Sequence, residues 1–320
     1  MPPRVALTGG AGFIGGAVAA ALRERNDEVI ALVRDPDRAR RLTAIGATVI
    51  ADELADVRRL VGALGTADAL IHAAGSYRVG IRPDERAAMW EANVGTTTRI
   101  LDAAASAGMP RILYVSTVNV FGNTHGAVVD EDFRRDPAAG FVSWYDETKY
   151  RAHEVAEARI AKGAPIEIVM PSQVYGPGDH SAFGQQLTAA HDGKLPYRAL
   201  DDVGVGLVHV DDLAAGIVAA LDRGAIGRSY VLSGPRTTLG EAVKLAARLG
   251  GHRAPRLRVP TPLLRIMAPI GGLIGQPNLR ELISASSGVT YWASPARAEA
   301  ELGWRSRAIE EGLRDTFARP

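Results

Sequence analysis

The sequence predicts an α/β fold: a Rossmann-type, doubly wound parallel sheet with a smaller C-terminal region. Three observations lead there. Continuously apolar runs alternate with helical stretches through the first half of the chain. A glycine-rich turn, Thr8 to Gly15, follows the first run directly. Beyond Tyr175 the alternation loosens into Gly-, Asp- and Pro-rich segments.

The first strand is Val5–Thr8, and the Ala-rich stretch Gly15–Arg25 is the first helix. Val29–Val33 is apolar at every position, as expected of a strand covered on both faces. Asp37–Ile45 is helical, Ala47–Ala51 the third strand, Val57–Leu64 helical and Ala69–Ala74 the fourth strand. A long helix over Asp84–Ala107 precedes the fifth strand, Ile112–Val115. A helix over Tyr145–Lys162 precedes the sixth, Ile166–Met170. Such alternation implies right-handed crossovers and helices on both faces. Val208–Leu221 runs from a strand end into a helix, and Tyr230–Ser233 is a further strand. The expected division is a dinucleotide-binding domain over 1–175 and a mainly substrate-binding region over 176–320, with 207–235 returning to the core sheet.

Composition narrows the function. The 320 residues are 47% hydrophobic and 23% charged, enough for a large core and too apolar for disorder. A net charge of +1 gives no global field for nucleic acid or an anionic membrane. Cysteine is absent, which excludes disulfides, a thiolate nucleophile and Cys-ligated zinc. The apolar stretch Val259–Gly275 is too short and too Pro-rich to span a bilayer. Its Leu263–Ile274 portion reads as a lid or pocket wall. No secretory leader precedes the first strand, so a cytoplasmic location is expected. His209 reads as structural, and no spacing of His, Asp and Glu suggests a metal.

The glycine turn carries the first chemistry. Gly9 allows the tight turn, Gly12 lets a pyrophosphate approach the backbone, and Gly15 lets helix and strand pack closely. Phe13 and Ile14 open the helix, whose free N–H groups and dipole favour the anion. The second strand ends Leu32-Val33-Arg34, with no carboxylate to hold a ribose 2′-hydroxyl. Arg34, assisted by Arg38, suits a 2′-phosphate, so NADP(H) is the expected cofactor and NAD(H) the alternative. The other reading of Arg34 is a solvated loop charge paired with Asp35.

Tyr145 and Lys149 stand one helical turn apart. Lys149 and a cationic nicotinamide are expected to lower the Tyr145 phenol and make it an acid/base at neutral pH. Lys149 can also hold ribose hydroxyls. Ser116 and Thr117 end the fifth strand, at the carboxyl edge where such sheets bind ligands, and Thr117 can orient a substrate oxygen.

These residues resemble the extended short-chain dehydrogenase/reductase family, also called the NAD-dependent epimerase/dehydratase family. The likeness covers nearly the whole chain: Thr8–Gly15, His72–Gly75, Asn93, Ser116–Gly122, Tyr145–Lys149, Pro171–Asp179, His209–Asp212, Ser294-Pro295 and Glu301–Trp304. It implies Thr117, Tyr145 and Lys149 as the reactive set. It implies Ala73, Ala74 and Gly75 along the cofactor, Pro171 and Val174 at its nicotinamide end, and Asn93 and Ser116 in support. Asn93 has an equal alternative as a helix-packing residue. The family's acid-Leu pair near the adenine falls on Asp52-Glu53-Leu54, where either acid can serve. Nucleotide-sugar epimerases carry an arginine shortly before the His-Val-Asp-Asp stretch; here Asp202–Val208 holds no cation. A diphosphate would lose a charge-assisted partner unless Arg198, Arg256, Arg258 or Arg280 replaced it. That gap, with Val33-Arg34-Asp35-Pro36, places the likeness in the dihydroflavonol-reductase-like branch. Hopanoid-associated sugar-epimerase-like proteins look similar too.

Tyr77, Asn119, Tyr175, His180 and Phe183 are candidates for an apolar or aromatic substrate, the alternative for each being a packing or loop role. The leading reading is an NADP-dependent reductase of a small ketone or aldehyde, working with Tyr145 as acid/base. A nucleotide-sugar epimerase or dehydratase with tightly bound NAD(P) is the second, and a non-catalytic NADP-binding module the third. A homodimer packed through the two long helices is expected.

Overall fold

The computed structural model describes residues 2–52, 54–269 and 278–319. Its principal sheet contains β1 (Arg4–Thr8), β2 (Glu28–Val33), β3 (Thr48–Ala51), β4 (Ala69–His72), β5 (Ile112–Val115) and β6 (Ile166–Pro171). The chain continues through β7 (Gln173–Tyr175), β8 (Arg198–Ala199), β9 (Gly204–His209), β10 (Ser229–Leu232), β11 (Arg236–Thr238) and β12 (Arg258–Val259). Seven strands pair in the order β10-β6-β5-β4-β1-β2-β3, all parallel. β11, β9 and β7 form a small second sheet, and β12 pairs with β8.

The apolar runs become strands because helices bury them from both sides. The helices are α1 (Phe13–Glu24), α2 (Arg40–Ala44), α3 (Val57–Leu64), α4 (Arg86–Trp90), α5 (Thr96–Ser106), α6 (Trp144–Ile160), α7 (Ala182–His191), α8 (Val210–Arg223), α9 (Leu239–Leu249), α10 (Thr261–Met267), α11 (Leu279–Ser286), α12 (Ala296–Leu302) and α13 (Ile309–Ala318). One core joins Leu60, Ile100, Leu101 and Ala152 from α3, α5 and α6 to Leu70, Ile112 and Ile168 of the sheet. The other joins Val18, Leu22, Leu213 and Ile217 from α1 and α8 to Val5, Leu7 and Leu113. The chain leaves β1 for β2 on one side and returns to β4 on the other. That reversal opens a crevice at the carboxyl ends of β1 and β4.

Several boundaries shift by a residue or two, the 37–45 helix divides into a 3-10 turn, Pro36–Ala39, and α2, and two differences bear on the site. Strand four stops at His72, and Ala73–Ser76 is irregular. The helix expected over 84–107 is broken by a π-turn, Glu91–Gly95, between α4 and α5. A single wide turn of this kind leaves composition and periodicity nearly unchanged. Of the Leu263–Ile274 stretch, α10 covers the first part and exposes Leu263 and Ile266; residues 270–277 lie outside the described residues. No helix among the described residues is long and apolar enough to cross a membrane.

Candidate functional site

The glycine turn is shaped as a cradle. Gly9 has φ +77°, and a Cβ there would stand 2.6 Å from the Ala74 nitrogen. A Cβ on Gly15 would collide with the Gly9 carbonyl. Gly12 donates its N–H to that carbonyl at 2.9 Å and caps α1 with no side-chain hydrogen bond. Phe13 and Ile14 then open a helix whose first N–H groups have no side-chain partner, the arrangement that receives an anion. A dinucleotide pyrophosphate fits this cradle: side chains are absent where it must approach, and donors are present.

Around the cradle, Ala73 and Ala74 donate their N–H groups to the Thr8 carbonyl and hydroxyl, and Gly75 is exposed beyond them. His72 is fully buried between the Thr8 hydroxyl (2.7 Å) and the Thr97 hydroxyl (3.0 Å). Burial first, and the Lys149 charge second, push its imidazole down to about 3, so it is neutral at physiological pH. Sequence reasoning placed His72 in a motif and gave it no task; its contact with Thr97 of α5 exists only in the fold.

Asn93 is buried, in keeping with its helix-packing alternative. Its carbonyl accepts the Ser76 N–H at 2.7 Å, and its amide donates to the Ser76 carbonyl and the Thr148 hydroxyl. The π-turn aims it at the 73–76 loop, which it ties to α6. Arg34 lies exposed just past β2. Asp35 accepts the Asp37 N–H and forms no ion pair with Arg34 among the described residues. Asp52 is buried, accepts the Leu54 N–H at 2.7 Å and faces Arg59 at 3.8 Å. Leu54 is buried in the core with φ +60°, and Glu53 lies outside the described residues.

The fold brings Thr117, Tyr145 and Lys149 together, all buried. Ser143 caps α6 by accepting the Asp146 N–H, and Glu281 of α11 accepts the Trp144 N–H at 2.7 Å. Together they fix the helix start that carries Tyr145. The expected lowering of Tyr145 does not arise from the chain's own groups. Burial pushes the phenol well above its ordinary value, Tyr77, Asp146 and Tyr114 reinforce the shift, and only the Thr117 hydrogen bond opposes it. The Lys149 ammonium is directed at the Val115 carbonyl (3.2 Å) and the Tyr114 hydroxyl (3.4 Å). Burial pushes it down to about 8. Ser116 bonds His153 Nδ1 at 2.9 Å, whereas Pro171 ends β6 with its carbonyl 3.4 Å from the Thr117 hydroxyl. Val174, on β7, is half-buried.

The substrate candidates separate. Tyr77 is 55% exposed and stands edge-on to Tyr145, with ring centroids 4.8 Å apart. Asn119 links Thr117 to Asp146. His180 is exposed on its loop. Tyr175 is corrected to a core residue: β7 turns it against His209 and α13, where its hydroxyl donates to the Ile309 carbonyl. Phe183 is likewise buried in the larger core. Sequence reasoning missed Asp146 and Tyr291, which meet at 3.2 Å beside Tyr145. Asp146 adjoins Tyr145 in sequence, the one local signal; Tyr291 offered none.

His209 caps α8, accepting the Asp211 N–H, and its ring lies with Asp211 and Asp315 in a cluster of metal-ligand type that spacing could not reveal. Arg319 pairs with both carboxylates and Arg307 with Asp315, so guanidinium charge already answers the cluster's own. Of the arginines considered for a diphosphate, Arg198 and Arg258 face Asp201 at 2.7 and 3.6 Å, while Arg256 and Arg280 are exposed.

Comparison with known proteins places this geometry. Residues 5–233 match the model of the NAD dependent epimerase/dehydratase family. A candidate dihydroflavonol 4-reductase of Synechocystis sp. is 29% identical across 97% of this chain and 92% of its own. A UDP-glucose 4-epimerase of Erwinia amylovora is 25% identical, covering 98% and 96% respectively. The crystal structure of gox2253 superposes with a TM-score of 0.85 at 29% identity, over 99% of this chain and 97% of that one. Glycine cradle, sheet order and matched residues agree: the chain belongs to the NAD-dependent epimerase/dehydratase family, the extended short-chain dehydrogenases/reductases.

Proposed function

We propose that the protein is an NADP-dependent reductase of a ketone or aldehyde on a small apolar or aromatic molecule, the reverse oxidation being the same chemistry. The observation that carries this reading is the buried meeting of Thr117, Tyr145 and Lys149 at the carboxyl edge of the sheet, which puts a phenol proton where a substrate oxygen would lie. A nicotinamide cofactor, when bound, supplies the hydride. Gly9, Gly12 and Gly15 would hold its pyrophosphate, Arg34 its 2′-phosphate, and Lys149 its ribose. Tyr145 then gives its proton to the substrate oxygen, where negative charge would otherwise develop. Lys149, still largely protonated at neutral pH, would steady the phenolate that this step leaves. The exposed Tyr77 ring offers an aromatic wall. Two of the arginines that could grip a diphosphate are engaged by Asp201, which weighs against a nucleotide sugar. The reading extends to a cytoplasmic homodimer whose first 175 residues hold the cofactor.

The test is NADPH oxidation with a panel of ketones and aldehydes, followed by Tyr145→Phe. The variant should lose about 10²- to 10⁴-fold in kcat while NADPH binding, read by fluorescence, persists. Conversion of a nucleotide sugar on tightly bound NAD(H), with no carbonyl reduced, would overturn the reading.

A further inference from the structure

The reactive set holds a buried carboxyl that this chemistry leaves without a task. Asp146 is 1% exposed, and both its oxygens are engaged. Asn119 Nδ2 donates to Oδ1 at 3.0 Å, and the Tyr291 hydroxyl donates to Oδ2 at 3.2 Å. Asn119 Oδ1 in turn accepts the Thr117 hydroxyl at 3.0 Å, while the Asn119 backbone N–H donates to Thr117 Oγ1 at 3.2 Å. A carboxylate can only accept. An ionised Asp146 therefore dictates that the Asn119 NH₂ group faces it and the Asn119 carbonyl faces Thr117. The Thr117 proton is then spent on Asn119, or on the Pro171 carbonyl at 3.4 Å, and Thr117 offers a substrate only lone pairs.

We propose that Asp146 is a positioning residue: through the Asn119 amide it decides whether Thr117 presents a proton or a lone pair to the substrate oxygen. This inference rests on the reductase reading. With a proton on Oδ1, Asp146 donates to Asn119, and the amide turns over. Its NH₂ group now donates to Thr117 Oγ1, and the Thr117 proton is released toward the substrate. The donors of this chain stay matched: Thr117 accepts from the Asn119 backbone and side chain and donates outward, Tyr291 still donates to Oδ2, and Tyr145 exchanges its Thr117 contact for the substrate oxygen. No atom changes owner in this step except the proton taken up from solvent by Asp146. The released donor strengthens as charge grows on a carbonyl oxygen, so it assists reduction.

The groups around Asp146 suit such a change. Burial pushes its carboxyl up to about 6; hydrogen bonds from Asn119 and Tyr291, the Ser143 contact and the Arg135 charge pull the other way. Three phenols face it, Tyr77 before α4, Tyr145 on α6 and Tyr291 after α11. Burial pushes the Tyr145 and Tyr291 phenols upward, so both stay protonated where Asp146 titrates.

The test reads the amide and the rate separately. The side-chain ¹⁵N–¹H resonances of Asn119, identified by their loss in Asn119→Ala, are followed with pH in the cofactor-free protein. They should titrate with a midpoint near 6 in the native chain and stay constant in Asp146→Asn. Tyr291→Phe, which deletes one donor to the carboxylate, should move the midpoint upward. For a carbonyl that is turned over, kcat/KM of the native enzyme should fall about tenfold per pH unit above the midpoint, and Asp146→Asn should flatten that limb. An amide that ignores pH, or a fall above the midpoint retained in Asp146→Asn, would overturn the proposal. A titrating amide with no carbonyl reduced upholds the Asp146–Asn119 coupling and instead rejects the reductase reading beneath it.

Discussion

Arg34 and Tyr145 show how far single residues can be read before folding. Arg34 stands exposed past β2, at the edge nearest the expected ribose, and no nearby carboxylate among the described residues neutralises it. A 2′-phosphate there would gain a charge-assisted bond that a 2′-hydroxyl cannot match. Arg34→Ala should raise the KM for NADPH roughly ten- to a hundredfold and leave that for NADH nearly unchanged. Steady-state kinetics with both cofactors decide it, and equal effects would reject the NADP assignment. The Tyr145–Lys149 spacing was legible because one helical turn is a local property. The direction of the Tyr145 shift was not, because it depends on burial beneath Tyr77 and beside Asp146, residues whose approach no spacing encodes.

At the scale of elements, the strand–turn–helix unit around Gly9–Gly15 is written in the sequence, since each glycine answers a local steric demand. Gly15 packs against the Gly9 carbonyl and the Gly10 Cα, both backbone atoms with little room to give. Gly15→Ala should cost about 1–3 kcal/mol of stability by forcing α1 away from β1. It should also weaken NADPH binding, because the same turn forms the cradle. A urea midpoint and a fluorescence titration check the two effects; an unchanged midpoint would show that the turn yields freely. The π-turn between α4 and α5 was invisible for the opposite reason. It redirects Asn93 by one residue's offset without altering the hydrophobic pattern, and only the docked 73–76 loop shows what that offset serves.

Across the whole molecule, the C-terminal residues complete what the first half begins. Leu313 of α13 is fully buried, and α13 packs on α9 and β9, behind the strand that leads to His209. Leu313→Ala should therefore destabilise the protein by about 2–5 kcal/mol, read as a lower urea midpoint with an unchanged slope. A change below about 0.5 kcal/mol would mean that α13 is an appendage. The site has the same dependence on distant chain: Glu281 steadies the start of α6, and Tyr291 reaches the carboxyl beside Tyr145. By itself the sequence determined the parallel sheet, the glycine turn and the Tyr-Lys pair, because apolar runs, glycines and one-turn spacing act over a few residues. Only the tertiary structure decided the rest: Tyr175 turned into the core, Asn93 made a brace, and Asp146 set against Asn119 and Tyr291. Burial and hydrogen-bond partners at those positions come from segments tens to more than a hundred residues away, and their charge and orientation exist only once the chain has closed around them.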